Sequence, residues 1–373
     1  MSKLRIFVLA SVVAVQLAVP SLAQDIAGNK ADLAFDAAMK TLDLENPTYE
    51  FTYKAGKHQG SSIGFHIAEP GHRKSATFAP YNSSNNLESE VVSYRLARFL
   101  GLSDIYNPVT YYRLGPLAHA RFKAMLRKQT ETDPDRRANY AAVVAELKTN
   151  PQSLLGIYRL RPRGKRYVAQ TLGTANGHLN QDHPLATFIR ANGPPPTEKP
   201  MSLPGVKGQR DGFPKPSEKA SELARQLSDI LLVDQLMGQW DRFFNNMEAT
   251  GDETGRLKLL ARDNGGATVD EWEWHDLYVR WVSRYDRPVI EKLRALLAFL
   301  QGREKQFAGF DDVEKWKTAV GFLKSGSFNT FKRKLELLVE KKIPALEKQY
   351  GNRMYFSAAP TGSAAPSPTP GKI

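Results

Sequence analysis

Cysteine is missing altogether from the 373 residues. Its absence excludes a disulfide framework, thiolate metal sites, a cysteine nucleophile and lipid attachment through sulfur. Long apolar runs are nearly missing too. The longest, Ile6 to Val19, is short for a membrane span, and none of spanning length follows it. The seven histidines show no His-Glu-x-x-His or other close ligand spacing, and no Gly-x-Ser-x-Gly elbow occurs, so the usual zinc-hydrolase and serine-hydrolase signatures are absent. There is no zinc finger, RNP-like aromatic motif or isolated basic tail, so nucleic acid is not the expected ligand.

What is present is a globular composition. Hydrophobic residues make up 41% and charged ones 24%, enough apolar material for a core divided over roughly two to three lobes. Residues 1–23 read as an export signal. Lys3 and Arg5 form a positive n-region, Pro20 breaks the apolar run, and Ser21-Leu22-Ala23 puts small residues where signal peptidase cuts. The mature chain, without a spanning run, is then periplasmic or secreted, and a long exported chain lacking cysteine fits a bacterial periplasm. A formal net charge of +13 favours anionic partners, envelope polymers among them.

Residues 24–114 read as an α+β lobe. Residues 24 to 48 have helical spacing, and "YEFTYKAG", "GSSIGFHI" and "SATFAP" read as strands set among glycines. "LESEVVSYRLARFL" reads as a helix ending at Gly101, with "NPVTYYRLG" as a further strand. Residues 115–216 hold a charged helical stretch, an expected strand pair ("GIYRLR" and "KRYVAQTLG"), and a Pro/Gly-rich segment from 181 to 216 expected to be a long surface loop. Residues 217–356 read as a mostly helical lobe. In it "SEKASELARQLSDILLVDQLM" ends at Gly238 and "MEATGDETGRLKLLARD" forms a hairpin. Three helical segments then run to about Tyr350, the last kinked at Pro344. Residues 357–373 have the composition of a disordered tail. His58, His66 and His72, like Trp272, Trp274 and Trp281, read as surface or packing residues.

The stretch "DQLMGQWDRFFNN", residues 234 to 246, carries the chemistry. Asp241 and Asn246 sit five apart on a loop after a buried helix, and Asp263 opens "DNGG" at the far end of the expected hairpin. That order brings two carboxylates and an amide to one end of the hairpin. Phosphoryl transfer needs such a set: one carboxylate to take the hydroxyl proton, and an Asn and an Asp as hard oxygen ligands for a metal on the nucleotide phosphates. Each piece alone is also an ordinary cap, turn or surface ion pair, so the order and spacing carry the reading.

"LLVDQLMGQWDRFFNN" followed by "LLARDNGGA" resembles the catalytic segment of the secretory-pathway kinases, the group of Golgi casein kinase and four-jointed, and the Asp-Arg-x-x-x-Asn pattern of lipid kinases. "SATFAPYNSSNNLESEVVSYRLARFLGL" resembles that family's third strand and following helix, and "VSRYDRPVIEKLRALL" the segment after its metal motif. Together the matches span about residues 55 to 300, with a poor match over 115 to 220. The resemblance implies a two-lobed atypical protein-kinase-like α+β fold and a cleft holding Mg²⁺ or Mn²⁺ with ATP or another nucleoside triphosphate. By position Asp241 is the catalytic base and Asp263 the metal ligand. Asn246 assists the metal, with Asn245 as a second candidate. Glu90 is the helix glutamate, with Glu88 in reserve.

The chain departs from the family at two positions. Where the family has "FKP" this chain has "FAP", so Ala79 stands where the phosphate-gripping lysine is expected, with Lys74 the nearest substitute. Phe243 replaces the histidine after the Asp-Arg pair. The function implied is metal-dependent phosphoryl transfer from a nucleotide to a hydroxyl of an exported protein or glycan. Ala79 keeps open a pseudokinase-like binding module without catalysis, and the basic charge keeps open an envelope-polymer-binding protein. On the export reading, intact-mass analysis of protein exported by a Gram-negative host should give a chain beginning at Gln24. Retention of Met1 in a membrane-bound fraction would contradict it.

Overall fold

The computed structural model of the protein describes residues 29–53, 65–68, 76–81, 86–132, 153–160, 165–168, 172–174, 177–201, 218–243, 246–251, 256–267 and 281–356. Lys74, Asn245, residues 1–28 and residues 357–373 lie outside the described residues. The first element, α1 (Lys30–Thr41), starts at a capping box: Asn29 accepts the Ala31 and Asp32 N–H groups, and Asp32 accepts the Asn29 N–H in return.

A five-stranded antiparallel sheet follows, built of β1 (Glu50–Tyr53), β2 (Phe65–Ala68), β3 (Ala76–Pro80), β4 (Val109–Leu114) and β5 (Leu154–Leu160), in the order β1-β2-β3-β5-β4. On one face the rings of Phe51, Phe65 and Phe78 meet Phe122 of α3 (Pro116–Thr132) edge-on, with centroids 4.6 to 5.9 Å apart. The register pairs Phe78 with Tyr158, so the alternate pairs Ala79–Ile157 and Thr77–Arg159 turn to the other face. Helix α2 (Leu87–Leu100) lies on that side, and all of its residues are buried. Asn86 caps it, and Gly101 ends it in the left-handed region at φ +81°, which glycine adopts without penalty. Arg98 grips both oxygens of Asp36, while Tyr94 and Ser103 donate to Asp32, tying α1 to α2.

The expected pairing of "GIYRLR" with "KRYVAQTLG" does not occur. Both edges of β5 are already taken by β3 and β4, so β6 (Lys165–Val168) has no edge of β5 to join. It extends the hairpin of β9 (Met247–Gly251) and β10 (Leu257–Ala261) into a second sheet, β10-β9-β6. The first sheet therefore runs past residue 114, where the sequence reading closes the N-terminal lobe.

The expected loop from 181 to 216 also needs correction over its first part. His183 Nδ1 accepts the Leu185 N–H to cap a short helix, α4 (Pro184–Phe188), whose Leu185, Ala186 and Phe188 are buried, as are Ile189 and Ala191 beyond it. The guanidinium of Arg284 takes the carbonyls of Phe188, Gly193 and Pro194, so this backbone is docked despite its prolines. A two-residue ladder of β7 (Pro200–Met201) with β8 (Glu218–Lys219) closes the segment. Residues 202–217 lie outside the described residues.

The second lobe is centred on α5 (Ala220–Met237), buried throughout its second half and ended by Gly238 at φ +70°. Against it packs α8 (Ser325–Leu337), which also meets α6 (Arg287–Leu300), while α7 (Val313–Val320) lies on α2. Instead of a simple kink, α8 passes through a π turn, Leu338–Lys342, into α9 (Ile343–Tyr350). Pro344 has no N–H for the carbonyl four residues back, and the wider turn accommodates that loss. No helix among the described residues is long and apolar enough to cross a membrane.

Lys342, partly exposed along its stem, sends its ammonium inward to 3.5 Å from Gln235 Oε1 and 5.6 Å from the centroid of the buried Tyr285 ring. Burial pushes its pKa down, to about 7. Above that pH the folded chain holds one proton fewer at this site than the unfolded chain, whose lysine keeps its proton to about pH 10. Stability should therefore rise with pH through this window by at most about 1.4 kcal/mol per unit, and Lys342→Met should remove that part of the slope. Denaturant titrations at several pH values would check this, and equal slopes in wild type and variant would contradict it.

Candidate active site

The loop after α5 is organised by Arg242, which is fully buried. Its Nε and Nη2 donate to the two Asp234 oxygens at 2.8 and 2.7 Å. Nη1 donates to the carbonyls of Asn246 and Arg262, and Nη2 also donates to Asn264 Oδ1, each at 2.6 Å. Five N–H donors thus meet five acceptors. Burial alone would push the Asp234 carboxyl up, and Arg242 pulls it back. We take the pair as ionised, because a neutral Asp234 would leave the guanidinium charge buried without a counter-charge. The adjacent Asp234 carboxylate in turn raises the Arg242 pKa.

With the arginine fixed, Asp241 is fixed beside it. Burial raises its carboxyl to about 6, the Arg242 charge opposing and Asp263 adding to the shift. Its Oδ1 is buried and has no hydrogen-bond partner. Gly266 forms the wall opposite: a Cβ there would lie 2.3 Å from Asp241 Oδ1, so the close approach requires glycine. Asn246 Nδ2 donates to the Asp241 carbonyl at 3.1 Å, and the Asn246 carbonyl accepts the Arg262 N–H at 2.9 Å. Both ends of the catalytic-type loop are therefore held to the end of β10.

Asp263 follows β10 in the left-handed region at φ 46°, an uncommon conformation for a residue with a Cβ. Gln239 holds its carbonyl at 3.0 Å, and its side chain is 40% exposed toward the cleft. From the other lobe, Asn86 and Ser89 both donate to the Ala267 carbonyl, at 2.9 and 2.7 Å, seating the start of α2 on the same loop. Glu90, one residue on, is buried and accepts the Asn264 N–H. Burial pushes its carboxyl up to about 7; Arg159 pulls it down and Asp263 pushes it further up. Arg159 Nη2 lies 3.2 Å from Glu90 Oε1, and Nη1 lies 3.9 Å from Asp263 Oδ1.

The structure thus brings Asp241, Asn246, Asp263 and Glu90 together around the turn after β10. Glu88 faces elsewhere, lying beside the backbone of Leu323 and Lys324 and the Ser327 hydroxyl at the start of α8. Ala79 is buried, and Lys74 and Asn245 lie outside the described residues. Sequence reasoning missed Asp234, Gly266, Asn264 and above all Arg159. The signal for Arg159 was a lone charge in "GIYRL", a strand otherwise suited to burial.

Among the described residues no group of three or more His, Asp or Glu side chains could hold a metal ion. The oxygens left for a ligand here are the part-exposed Asp263 carboxylate and the orphaned Asp241 Oδ1, with the Asn246 amide held to the Asp241 carbonyl. That set fits a magnesium-type ion, which keeps several waters and takes its other ligands from phosphate. No protein-family model matches the chain, and no curated protein matches it in sequence. Among solved structures it is similar to the crystal structure of the Golgi casein kinase, with a TM-score of 0.50 and 15% identity, over 81% of this chain and 73% of that one. The likeness shows the fold: a two-lobed, kinase-like α+β architecture with a mostly helical second lobe.

If Arg242 organises the loop as its bonds indicate, Arg242→Ala leaves Asp234 buried without its partner and should cost about 3–5 kcal/mol. Arg242→Ala combined with Asp234→Leu should recover part of that loss. Denaturant unfolding of wild type and the two variants measures this, and an Arg242→Ala protein as stable as wild type would contradict it.

Proposed function

We propose that the protein is an exported, metal-dependent phosphotransferase that moves a phosphoryl group from ATP or another nucleoside triphosphate to a hydroxyl of an exported protein or glycan. One observation supports the reading: Asp241 keeps an unpartnered, buried carboxylate oxygen packed against Gly266, with the part-exposed Asp263 carboxylate nearby. The neighbour's name, a casein kinase, points to a protein hydroxyl as the acceptor.

Asp241 holds the acceptor hydroxyl and takes its proton as the oxygen attacks the terminal phosphorus. The bond to the bridging oxygen breaks, and the nucleoside diphosphate leaves with the electron pair. A carboxyl raised to about 6 suits that task, since its ionised form still accepts a proton readily near neutral pH. Arg242 keeps the Asp241 backbone in register and touches no substrate. Asp263 and Asn246 would hold Mg²⁺ or Mn²⁺, which would supply charge neutralisation of the phosphates. Glu90 sets the position of the Asp263 loop through the Asn264 N–H.

Ala79 favours a second reading, a pseudokinase-like module that binds nucleotide without turnover. Calorimetric titration of ATP with and without Mn²⁺, on wild type, Asp263→Asn and Asp241→Asn, separates the cases. The enzyme reading expects metal-dependent binding that Asp263→Asn abolishes, with Asp241→Asn binding nucleotide but losing transfer by a factor of about 10² or more. Binding without any transfer by wild type, tried on proteins and glycans of the envelope, supports the module. No binding under any metal condition would leave the basic envelope-polymer-binding protein.

A further inference from the structure

We infer that Arg159, on β5, grips the nucleotide phosphates in this chain, in place of a cation on β3. The inference rests on the phosphotransferase reading above and names the residue that reading lacks. Register supplies the first argument. Thr77 pairs with Arg159 and Ala79 with Ile157, so Arg159 stands one strand over from Ala79 and on the same face of the sheet. A diagonal neighbour of this kind lies about 7–8 Å away, within the span of an arginine side chain. A cation lost from position 79 can therefore be replaced from position 159 without moving the backbone.

Reach supplies the second. The guanidinium sits between Glu90 of α2 and Asp263 of the metal-type loop, at 3.2 and 3.9 Å, and so borders the space where the metal-bound phosphates belong. The side chain keeps 19% of its surface exposed.

The third argument is that its hydrogen bonding is incomplete. Arg159 Nε is buried without an acceptor, and Glu90 Oε1 lacks an aligned donor despite the nearby charge. Arg242, bonded to the residues on either side of Asp263, shows what a finished structural arginine looks like, with every donor used. A phosphate brings several acceptor oxygens to a planar fork of donors, the pairing for which guanidinium is best suited. Lysine at 159 would retain charge but not the fork.

Titration of ATP and, separately, adenosine with Mn²⁺ present tests this on wild type, Arg159→Met, Arg159→Lys, Asp263→Asn and the double variant Ala79→Lys with Arg159→Met. Arg159→Met should weaken ATP binding by about tenfold or more, with Arg159→Lys in between. Adenosine, which has no phosphate, should bind the Arg159 variants as it binds wild type. Ala79→Lys should restore part of the ATP affinity lost in Arg159→Met, which a merely structural role would not allow. Thermal melts identify any variant that fails to fold, and Arg159→Lys then decides the matter by its ATP-to-adenosine ratio. ATP binding by Arg159→Met at or above wild-type strength overturns the inference and marks the guanidinium as a plug over the acids. In that case the loss of binding in Asp263→Asn still upholds the phosphotransferase site. Wild type that binds no ATP in the presence of metal overturns both.

Discussion

Arg242 donates five hydrogen bonds from a position without solvent contact, and each acceptor belongs to a segment that shapes the cleft: Asp234 on α5, the Asn246 and Arg262 carbonyls, and Asn264. A buried ion pair is costly to desolvate and is tolerated when its remaining donors are satisfied as well. Here that condition ties the start of β9, the end of β10 and the turn after it to a single side chain. Asp241 precedes the arginine and Asp263 follows Arg262, so fixing the guanidinium fixes where both carboxylates emerge.

The second constraint is the seating of α2. A helix with all its residues buried cannot be placed by an amphipathic face alone; specific polar contacts orient it. Arg98 and Tyr94 hold it to α1, Arg95 donates to the Ala319 carbonyl at the end of α7, and Asn86 and Ser89 meet Ala267. Tyr111 of β4 adds a hydrogen bond to the Gly321 carbonyl. The sheet and the helical lobe are thereby joined through α2 and through Tyr111, and Glu90 is delivered to the Asp263 loop from α2. Several buried polar atoms without a hydrogen-bond partner lie where these elements converge, Asp241 Oδ1, Glu90 Oε1, Arg159 Nε and Gln239 Oε1 among them. Such groups are expensive in a finished core and suit a site that completes its bonding with a ligand.

Much of this was legible in the residues. Gly101 and Gly238 end their helices as their positions suggested, and the hairpin that carries Asp263 back to Asp241 follows from two strand patterns around a glycine-rich turn. The kinase-like fold came from the resemblance of the acid loop, the hairpin end and the earlier strand and helix to the secretory-pathway kinases. Long-range choices were not legible. Which of Glu88 and Glu90 faces the cleft depends on the rotation of a helix buried on every side, where helical spacing offers no exposed face to read. The partner of "GIYRLR" depended on edges already occupied by β3 and β4. Arg159 was invisible for the same reason: its role comes from lying across the sheet from Ala79, 80 positions further along the chain. The docking of 184–201 depended on Arg284, a hundred residues from its start.

A crystal structure with Mn²⁺ and a non-hydrolysable ATP analogue would test the central claim most directly. Anomalous density for the metal should appear against Asp263 and Asn246, with phosphate oxygens within hydrogen-bond distance of the Arg159 guanidinium. The Asp241 carboxylate should face the terminal phosphate. Nucleotide bound elsewhere, or a cleft in which manganese ignores Asp263 at saturating concentration, would contradict the account.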